Sequence, residues 1–314
     1  MHYRRLGRTE LMVSEVGFGG LPIGGLRWGD VRDEESLAAL RRAYELGTNF
    51  FDTADVYGRG HSEELIGQAL GEVRHNILIA TKAGIDFYHG QPTRNNFEPG
   101  YIRSAIERSL ERLRTDYIDL FQLHNPPQKL AREPGIWDEL CKLKSEGKVR
   151  SFGVSCRTAN DARAIVRAAE AQDDGRVFGD TLQVAYNLLD QEAAAKDVFV
   201  EGHRHDWGII NRVPLASGVL GGRYSADHRF PPNDFRSDWS AERLSETARK
   251  VDELRFLEQA GRTLAQAAIA FCLNQPAVST VITGAKSTMQ VEENAATSDM
   301  TPLSEDEVAQ IRGM

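Results

Sequence analysis

Eight short runs rich in β-branched and aromatic residues alternate with longer segments of helical periodicity, and this alternation limits the fold more than any other feature of the chain. The strand-like runs are Val16–Phe18, Phe50–Asp52, Ile77–Thr81, Tyr117–Leu123, Ser151–Val154, Leu182–Ala185, Gly208–Val213 and Val278–Thr283. The helical segments are Asp33–Leu46, Ser62–Leu70, Gly100–Leu113, Ile136–Ser145, Ala159–Ala169, Gln191–Glu201, Ala241–Leu257 and Ser287–Ala296. Gly47 and Gly147 stand where two of them should stop. Thr263–Leu273 reads as an extra helix and Ser304–Ile311, opened by Ser-Glu-Asp-Glu, as a terminal one. The strands lack internal polar alternation, so they predict a parallel sheet buried on both faces. A count of eight favours closure into a (β/α)8 TIM barrel over an open doubly wound sheet. The open sheet would need a glycine-rich phosphate turn running into a helix. GFGGLPIGG (Gly17–Gly25) is the one candidate, and no helix signal follows it directly. Tyr3 to Gly17 reads as a hairpin turning at Gly7, ahead of the barrel.

At 314 residues the length allows two domains, but barrels of this class run past about 250 residues as one, so a single domain over 1–314 is expected. The formal charge of −8 argues against a nucleic-acid partner. No signal-peptide pattern opens the chain. Thr263 to Ala285 carries no charged side chain and is long enough to cross a bilayer. Gln266, Asn274, Gln275 and Pro276 interrupt it, so it reads as a buried helix, a break and a strand, with no membrane partner. Cys141, Cys156 and Cys272 are too few and too scattered for a disulfide framework or a zinc site. His203 and His205 lie in a polar segment that reads as a solvated helix end, so no metal site is expected. The whole reads as a reduced, cytoplasmic, soluble protein of undetermined oligomeric state.

Two long connections, Asp86–Pro99 and Ala216–Ser240, leave strand C-termini, and both carry aromatics. That end of a parallel barrel is where catalytic groups collect. Asp52 and, just beyond it, Tyr57 follow the second strand, Lys82 the third, His124 the fourth and Ser155 the fifth, while Gln183 lies in the sixth. Taken singly, each reads as a cap, a surface residue or a turn anchor. Four chemistry-bearing groups on consecutive strand ends are harder to explain in that way. A tyrosine with a pKa near 10 is a poor proton donor at neutral pH, but a neighbouring ammonium stabilises its phenolate. A carboxylate keeps that ammonium charged, and a neutral histidine can steady charge developing on a substrate oxygen. Such a set suits protonation of a carbonyl oxygen or deprotonation of an alcohol.

These residues stand in stretches that resemble the aldo-keto reductase superfamily over nearly the whole chain. The matching blocks are VGFGG, NFFDTADVYGRGHSEELIGQAL, LIATKAG, DYIDLFQLHNP, GVS, LQVAYNLLD, PLASGVLGGRY and ITGAKSTMQVEEN, in the family's order. The resemblance implies a (β/α)8 barrel closed at its base by a hairpin. It also implies hydride exchange between a nicotinamide dinucleotide, usually NADP, and a small-molecule carbonyl or alcohol. By position it makes Tyr57 the general acid or base, with Lys82 and Asp52 tuning it and His124 orienting the carbonyl. Gly20 and Leu21 join the cofactor-binding set from the first strand's end, and Ser155 and Gln183 would hold the nicotinamide carboxamide. Leu215, Ser217 and Leu220 fall in the segment that drapes the pyrophosphate, and Gly284, Lys286, Ser287, Gln290 and Asn294 at the adenosine end. A helix start at Ser287 independently suits a phosphate, since free N–H groups meet Lys286 there; the plainer reading is an ordinary Ser-capped helix.

Three departures weaken a straight carry-over. Cys156 replaces the family's usual Asn, Arg212 stands where many relatives place an aromatic against the nicotinamide, and Gln290 replaces a common Arg. A cation at 212 disfavours the oxidised, positively charged ring. NADP is therefore expected as cofactor, with NAD as the alternative. From loop position, Trp28, Phe87, Tyr88, Asn125 and Trp239 are candidates for the substrate wall, and His61 for the rim. Two rival functions stay open. One is a Schiff-base aldolase using Lys82 as nucleophile. The other is a redox-sensing module like the channel β subunits that resemble this family; a long N-terminal extension would favour it, whereas this chain opens almost directly on the hairpin.

Overall fold

In the computed structural model, residues 1–90, 92–170, 179–259 and 261–313 are described. Eight parallel strands close into a barrel: β1 (Val16–Gly19), β2 (Phe50–Asp52), β3 (Leu78–Ala83), β4 (Ile118–His124), β5 (Val149–Ser155), β6 (Thr181–Ala185), β7 (Gly208–Arg212) and β8 (Val278–Gly284). Each pairs with its sequence neighbours, and β8 returns to β1 through Val281–Val16 and Thr283–Phe18. The open-sheet alternative is thereby excluded. The strands are the eight expected from sequence, with ends shifted by one or two residues.

The helices are α1 (Asp33–Glu45), α2 (His61–Leu70), α3 (Pro99–Leu113), α4 (Pro134–Ser145), α5 (Ala159–Glu170), α6 (Glu192–Ala195), α7 (Val198–Arg204), α8 (Ala241–Glu253), α9 (Leu264–Leu273), α10 (Thr288–Ala296) and α11 (Glu305–Arg312). The single helix expected over Gln191–Glu201 is instead two short ones, because Asp197 takes a left-handed φ of 60° between them. The segment Ala241–Leu257 likewise stops at Glu253 and finishes as a 3-10 turn. The charge-free window resolves into α9, opened by a Thr263/Gln266 capping box, and β8. Residues Leu264 to Cys272 of α9 are all buried, which explains a helix apolar all round. Among the described residues, no helix is long and apolar enough to cross a membrane.

The two ends of the barrel differ in kind. At the N-terminal end an antiparallel hairpin, Tyr3–Arg5 against Met12–Ser14, turns at Gly7 with a φ of 54°. Its Leu6 and Val13, both fully buried, plug the opening against Phe50, Ala80, Leu120 and Ile210. At the C-terminal end the interior turns polar, and the long loops gather. The first of them folds a two-stranded hairpin, Ile85–Asp86 with Arg94–Asn95, and the second carries 3-10 turns at Ala216–Gly221 and Phe235–Asp238.

Candidate active site

Strand register brings the polar groups together. Asp52 lies beside Gly19 and Ala80, Lys82 beside Gln122, His124 beside Ser155, and Ser155 beside Gln183. Period-two alternation then sends Gln122 and His124 of β4 toward the same face. Lys82 is fully buried, and its Nζ donates to Asp52 Oδ1 at 2.6 Å and to the Thr53 carbonyl at 2.7 Å. The other Asp52 oxygen accepts from Gln183 Nε2 at 2.8 Å and from Gln122 Nε2 at 3.4 Å. Burial alone would drive the proton off Lys82, but the Asp52 carboxylate and the Tyr57 hydroxyl outweigh it and hold the pKa above the ordinary lysine value.

Tyr57 sits over this pair, its ring centroid 5.1 Å from Lys82 Nζ. The turn that carries it is set by glycines. Gly58 has a φ of 61°, and a Cβ there would lie 2.2 Å from the Gly24 carbonyl oxygen. Only a glycine lets the Tyr57 turn touch the Pro22–Gly24 turn of the loop after β1. The His124 ring stands edge-on to Tyr57, 5.9 Å between centroids at 82°. Burial first, and then the charges of Lys82, Arg212 and Arg157, hold His124 well below the ordinary histidine pKa, so it is neutral. Among the described residues, its Nδ1 has no hydrogen-bond partner and neither has Gln122 Oε1. Unsatisfied buried polar atoms are costly, and these two stand beside Asp52 and Tyr57, which themselves open on a space where a ligand could enter.

That space is one cavity of about 520 Å³, running from Asp52 and Tyr57 past Arg212 to Lys286 and Asn294. Leu21, Trp28, Gln183, Leu215, Ser217, Gly284 and Gln290 also line it. The turns next to it are tightly packed: a Cβ on Gly20 would fall 2.6 Å from Ser62 Oγ, and one on Gly284, which lines the cavity, 2.8 Å from Pro22 Cγ. The β7 loop is left-handed at Val213, Ala216 and Ser217, with φ of 59°, 46° and 62°. Non-glycine residues in that region cost of order 1–2 kcal/mol each and cluster where a loop is shaped for function.

Several sequence-predicted residues have structural commitments. Gln183 spans the site, donating to Asp52 while its Oε1 accepts from Ser155 Oγ at 3.0 Å. Ser287 caps α10 through the Gln290 N–H, and Gln290 Oε1 accepts from the Lys286 N–H at 2.8 Å. Lys286 Nζ donates to the Trp28 carbonyl. Leu220 is fully buried in the outer core. Of the expected substrate wall, only Trp28 borders the cavity. Phe87 and Tyr88 stack on each other at 4.0 Å, and Tyr88 turns to Arg108 and Arg112. Trp239 packs on Phe230, Phe235 and Arg243. Asn125 takes a left-handed φ of 56° and donates its N–H to the Ser155 carbonyl, which is turn chemistry. His61 bonds Asp33 at 2.8 Å on the surface.

Two participants were missed by the sequence reading. Gln122 was within reach of it, two residues before His124 on the same strand face. Arg236 was not, being a loop residue whose partners become visible only on folding. Its guanidinium is buried, pairs with Asp234 at 2.6 Å, and donates to the Ser217 carbonyl at 3.0 Å and to Tyr224 Oη at 3.1 Å. It thereby anchors the strained loop.

Comparison with known proteins agrees with this fold. The model of the Aldo/keto reductase family matches residues 15–314. An uncharacterized oxidoreductase, YqkF of Bacillus subtilis (strain 168), is 30% identical over 98% of this chain and 94% of its own length. A probable voltage-gated potassium channel subunit beta of Oryza sativa subsp. japonica is 32% identical, with coverage of 98% and 94%. Among solved structures, the glycerol dehydrogenase AKR11B4 from Gluconobacter oxydans superposes with a TM-score of 0.83 at 28% identity, covering 99% of this chain and 94% of that one. A closed eight-stranded barrel, the buried Asp52–Lys82 pair beneath Tyr57, and a family match across nearly its full length show that the chain is an oxidoreductase and belongs to the aldo/keto reductase family.

Proposed function

We propose that this chain is an NADP-dependent reductase of aldehydes or ketones, able to run the reverse oxidation of the alcohol, with Tyr57 as the general acid. The observation that carries the reading is the buried Lys82–Asp52 pair directly under Tyr57, beside a neutral His124. A bound nicotinamide cofactor supplies the hydride. As negative charge grows on the substrate oxygen, Tyr57 delivers its proton, and the Lys82 ammonium stabilises the phenolate left behind. Asp52 keeps Lys82 charged and in place. His124, neutral, donates a hydrogen bond to the same oxygen and adds no competing acid.

The cavity suits a dinucleotide: it is long, it starts at Tyr57, and it ends at a lysine and a helix start. In this reading Gln183, backed by Ser155, would hold the carboxamide, Leu215 and Ser217 the pyrophosphate, and Lys286 and Asn294 the adenosine end. Gln290 and Ser287 contribute there mainly by building the start of α10. Lys286, whose Nζ donates to the Trp28 carbonyl and has further N–H groups to offer, would hold the 2′-phosphate of NADP. A nucleophilic Lys82 is disfavoured, because an amine held above its ordinary pKa by Asp52 stays protonated.

The test is an absorbance screen at the nicotinamide band with aldehydes, ketones and sugars, run with NADPH and with NADH. Oxidation of NADPH dependent on a carbonyl substrate, faster than that of NADH, is the expected result. Substrate trapped on Lys82 by borohydride, with no cofactor dependence, would replace this reading with the aldolase.

A further inference from the structure

Two cations that line the proposed cofactor cavity, Arg212 and Lys286, form no ion pair among the described residues, and Arg212 is the one near Tyr57 and Asp52. Lys82 and Asp52 cancel each other at 2.6 Å, and His124 is neutral. Arg212 ends β7 and borders the same cavity as Asp52, Tyr57 and Gln183. Its Nη2 donates to the Cys156 carbonyl at 2.9 Å and to the Arg157 carbonyl at 2.7 Å. Among the described residues, no carboxylate forms an ion pair with it. Two carbonyl oxygens therefore fix the guanidinium without neutralising it, and arginine does not deprotonate in proteins.

We propose that Arg212 makes this site discriminate between the oxidation states of its cofactor, holding the neutral dihydronicotinamide more tightly than the cationic oxidised ring. The inference rests on the reading of the cavity as a nicotinamide site. A fixed positive charge repels a cationic ring and leaves a neutral one untouched, and the effect is larger in a partly desolvated cavity than in water. Two consequences oppose each other. The reduction potential of the bound couple rises, which works against hydride donation. The spent cofactor also becomes the weaker ligand, so it leaves readily and reduced cofactor replaces it. The net result is a site that loads for reduction even when oxidised cofactor is abundant.

The test measures binding without turnover. The wild-type protein, Arg212→Lys, Arg212→Gln and Arg212→Met are titrated with NADPH, followed by the fluorescence of the bound dihydronicotinamide. NADP⁺ is then titrated in as the displacing ligand. The wild type is expected to bind NADPH about tenfold more tightly than NADP⁺, equivalent to about 1.4 kcal/mol. Arg212→Lys, which keeps the charge, retains that ratio within about twofold, and both neutral variants lose it. Contacts common to the two forms weaken both affinities together and cancel in the ratio, so a general loss of packing does not imitate the effect. A wild-type ratio near one, or a ratio unchanged in Arg212→Gln and Arg212→Met, overturns the proposal. So does an Arg212→Lys ratio that falls as far as that of Arg212→Gln. Failure of the wild type to bind either cofactor instead refutes the reading of the cavity itself.

Discussion

Two buried ion pairs sit at opposite ends of this barrel and do opposite things. Near the N-terminal end, Arg74 meets Asp119 at 2.7 Å with both side chains buried. Every Arg74 nitrogen has a fixed partner: Thr115 Oγ1 at 2.9 Å, the Ile77 carbonyl at 3.1 Å and the Tyr117 carbonyl at 2.8 Å. Asp119 also accepts from the Ile79 N–H and from Arg150, both at 2.9 Å. At the other end Lys82 meets Asp52 at 2.6 Å, but His124 Nδ1 and Gln122 Oε1 nearby are left without partners. The lesson concerns saturation rather than charge. A closed network fixes strand ends and has no further capacity, whereas an incomplete one keeps groups in reserve for a ligand.

Tyr57 depends on the incomplete end, and its loss should have the largest effect. Tyr57→Phe is expected to lower turnover by about 10²–10⁴-fold, the usual share of a positioned general acid, while NADPH affinity by fluorescence titration holds within about twofold. Retained turnover would remove Tyr57 from the mechanism. The two pairs come next. Lys82→Met takes the only cation from the buried Asp52 and should cost about 3–5 kcal/mol in urea unfolding, whereas Arg74→Met leaves Asp119 paired with Arg150 and should cost less. Their kinetics should part: folded Arg74→Met keeps kcat within about twofold, and Lys82→Met loses it along with stability. Equal loss of activity in both would erase the distinction between a structural and a catalytic pair.

A smaller effect should appear with pH. Folded His124 resists protonation, chiefly through burial, while the unfolded chain takes up a proton near the ordinary value of about 6.5. Its contribution to stability is complete above that pH and is lost as pH falls toward the depressed folded value. The slope approaches about 1.4 kcal/mol per pH unit, the limit for a single proton. His124→Gln should flatten this acid limb in unfolding curves taken between pH 7.5 and 5.5, and an unchanged slope would place the titration elsewhere. The smallest effect belongs to α10. Ser287→Ala removes a helix cap and should cost about 1 kcal/mol, with NADPH affinity changed by less than about threefold. A much larger loss of affinity would return Ser287 to the phosphate site.

The barrel and its catalytic end were legible in the sequence for local reasons. Strand runs and helical periodicity are read within a dozen residues, and Asp52, Lys82, His124 and Ser155 each stand at a strand's last positions, with Gln183 inside one. What failed depended on distant partners or on backbone detail. Phe87, Tyr88 and Trp239 look like pocket residues by loop position, yet neighbouring aromatics and arginines take them up. Nothing in the spacing of Gln191–Glu201 announced the left-handed Asp197 that divides it. Arg236 gave no signal, because its value lies in reaching Ser217, Tyr224 and Asp234 together.

The order of elements, the closed barrel and the set of chemical groups at its C-terminal end follow from pattern along the chain, since parallel strands linked by helices leave little freedom in where their ends converge. Which partner each group takes depends on folding. Gln183 is committed to Asp52 across 131 residues of chain, and Lys286 to the carbonyl of Trp28 across 258. Such choices are settled by which atoms lie within about 3 Å once the loops have closed, a distance that no pattern along the chain encodes.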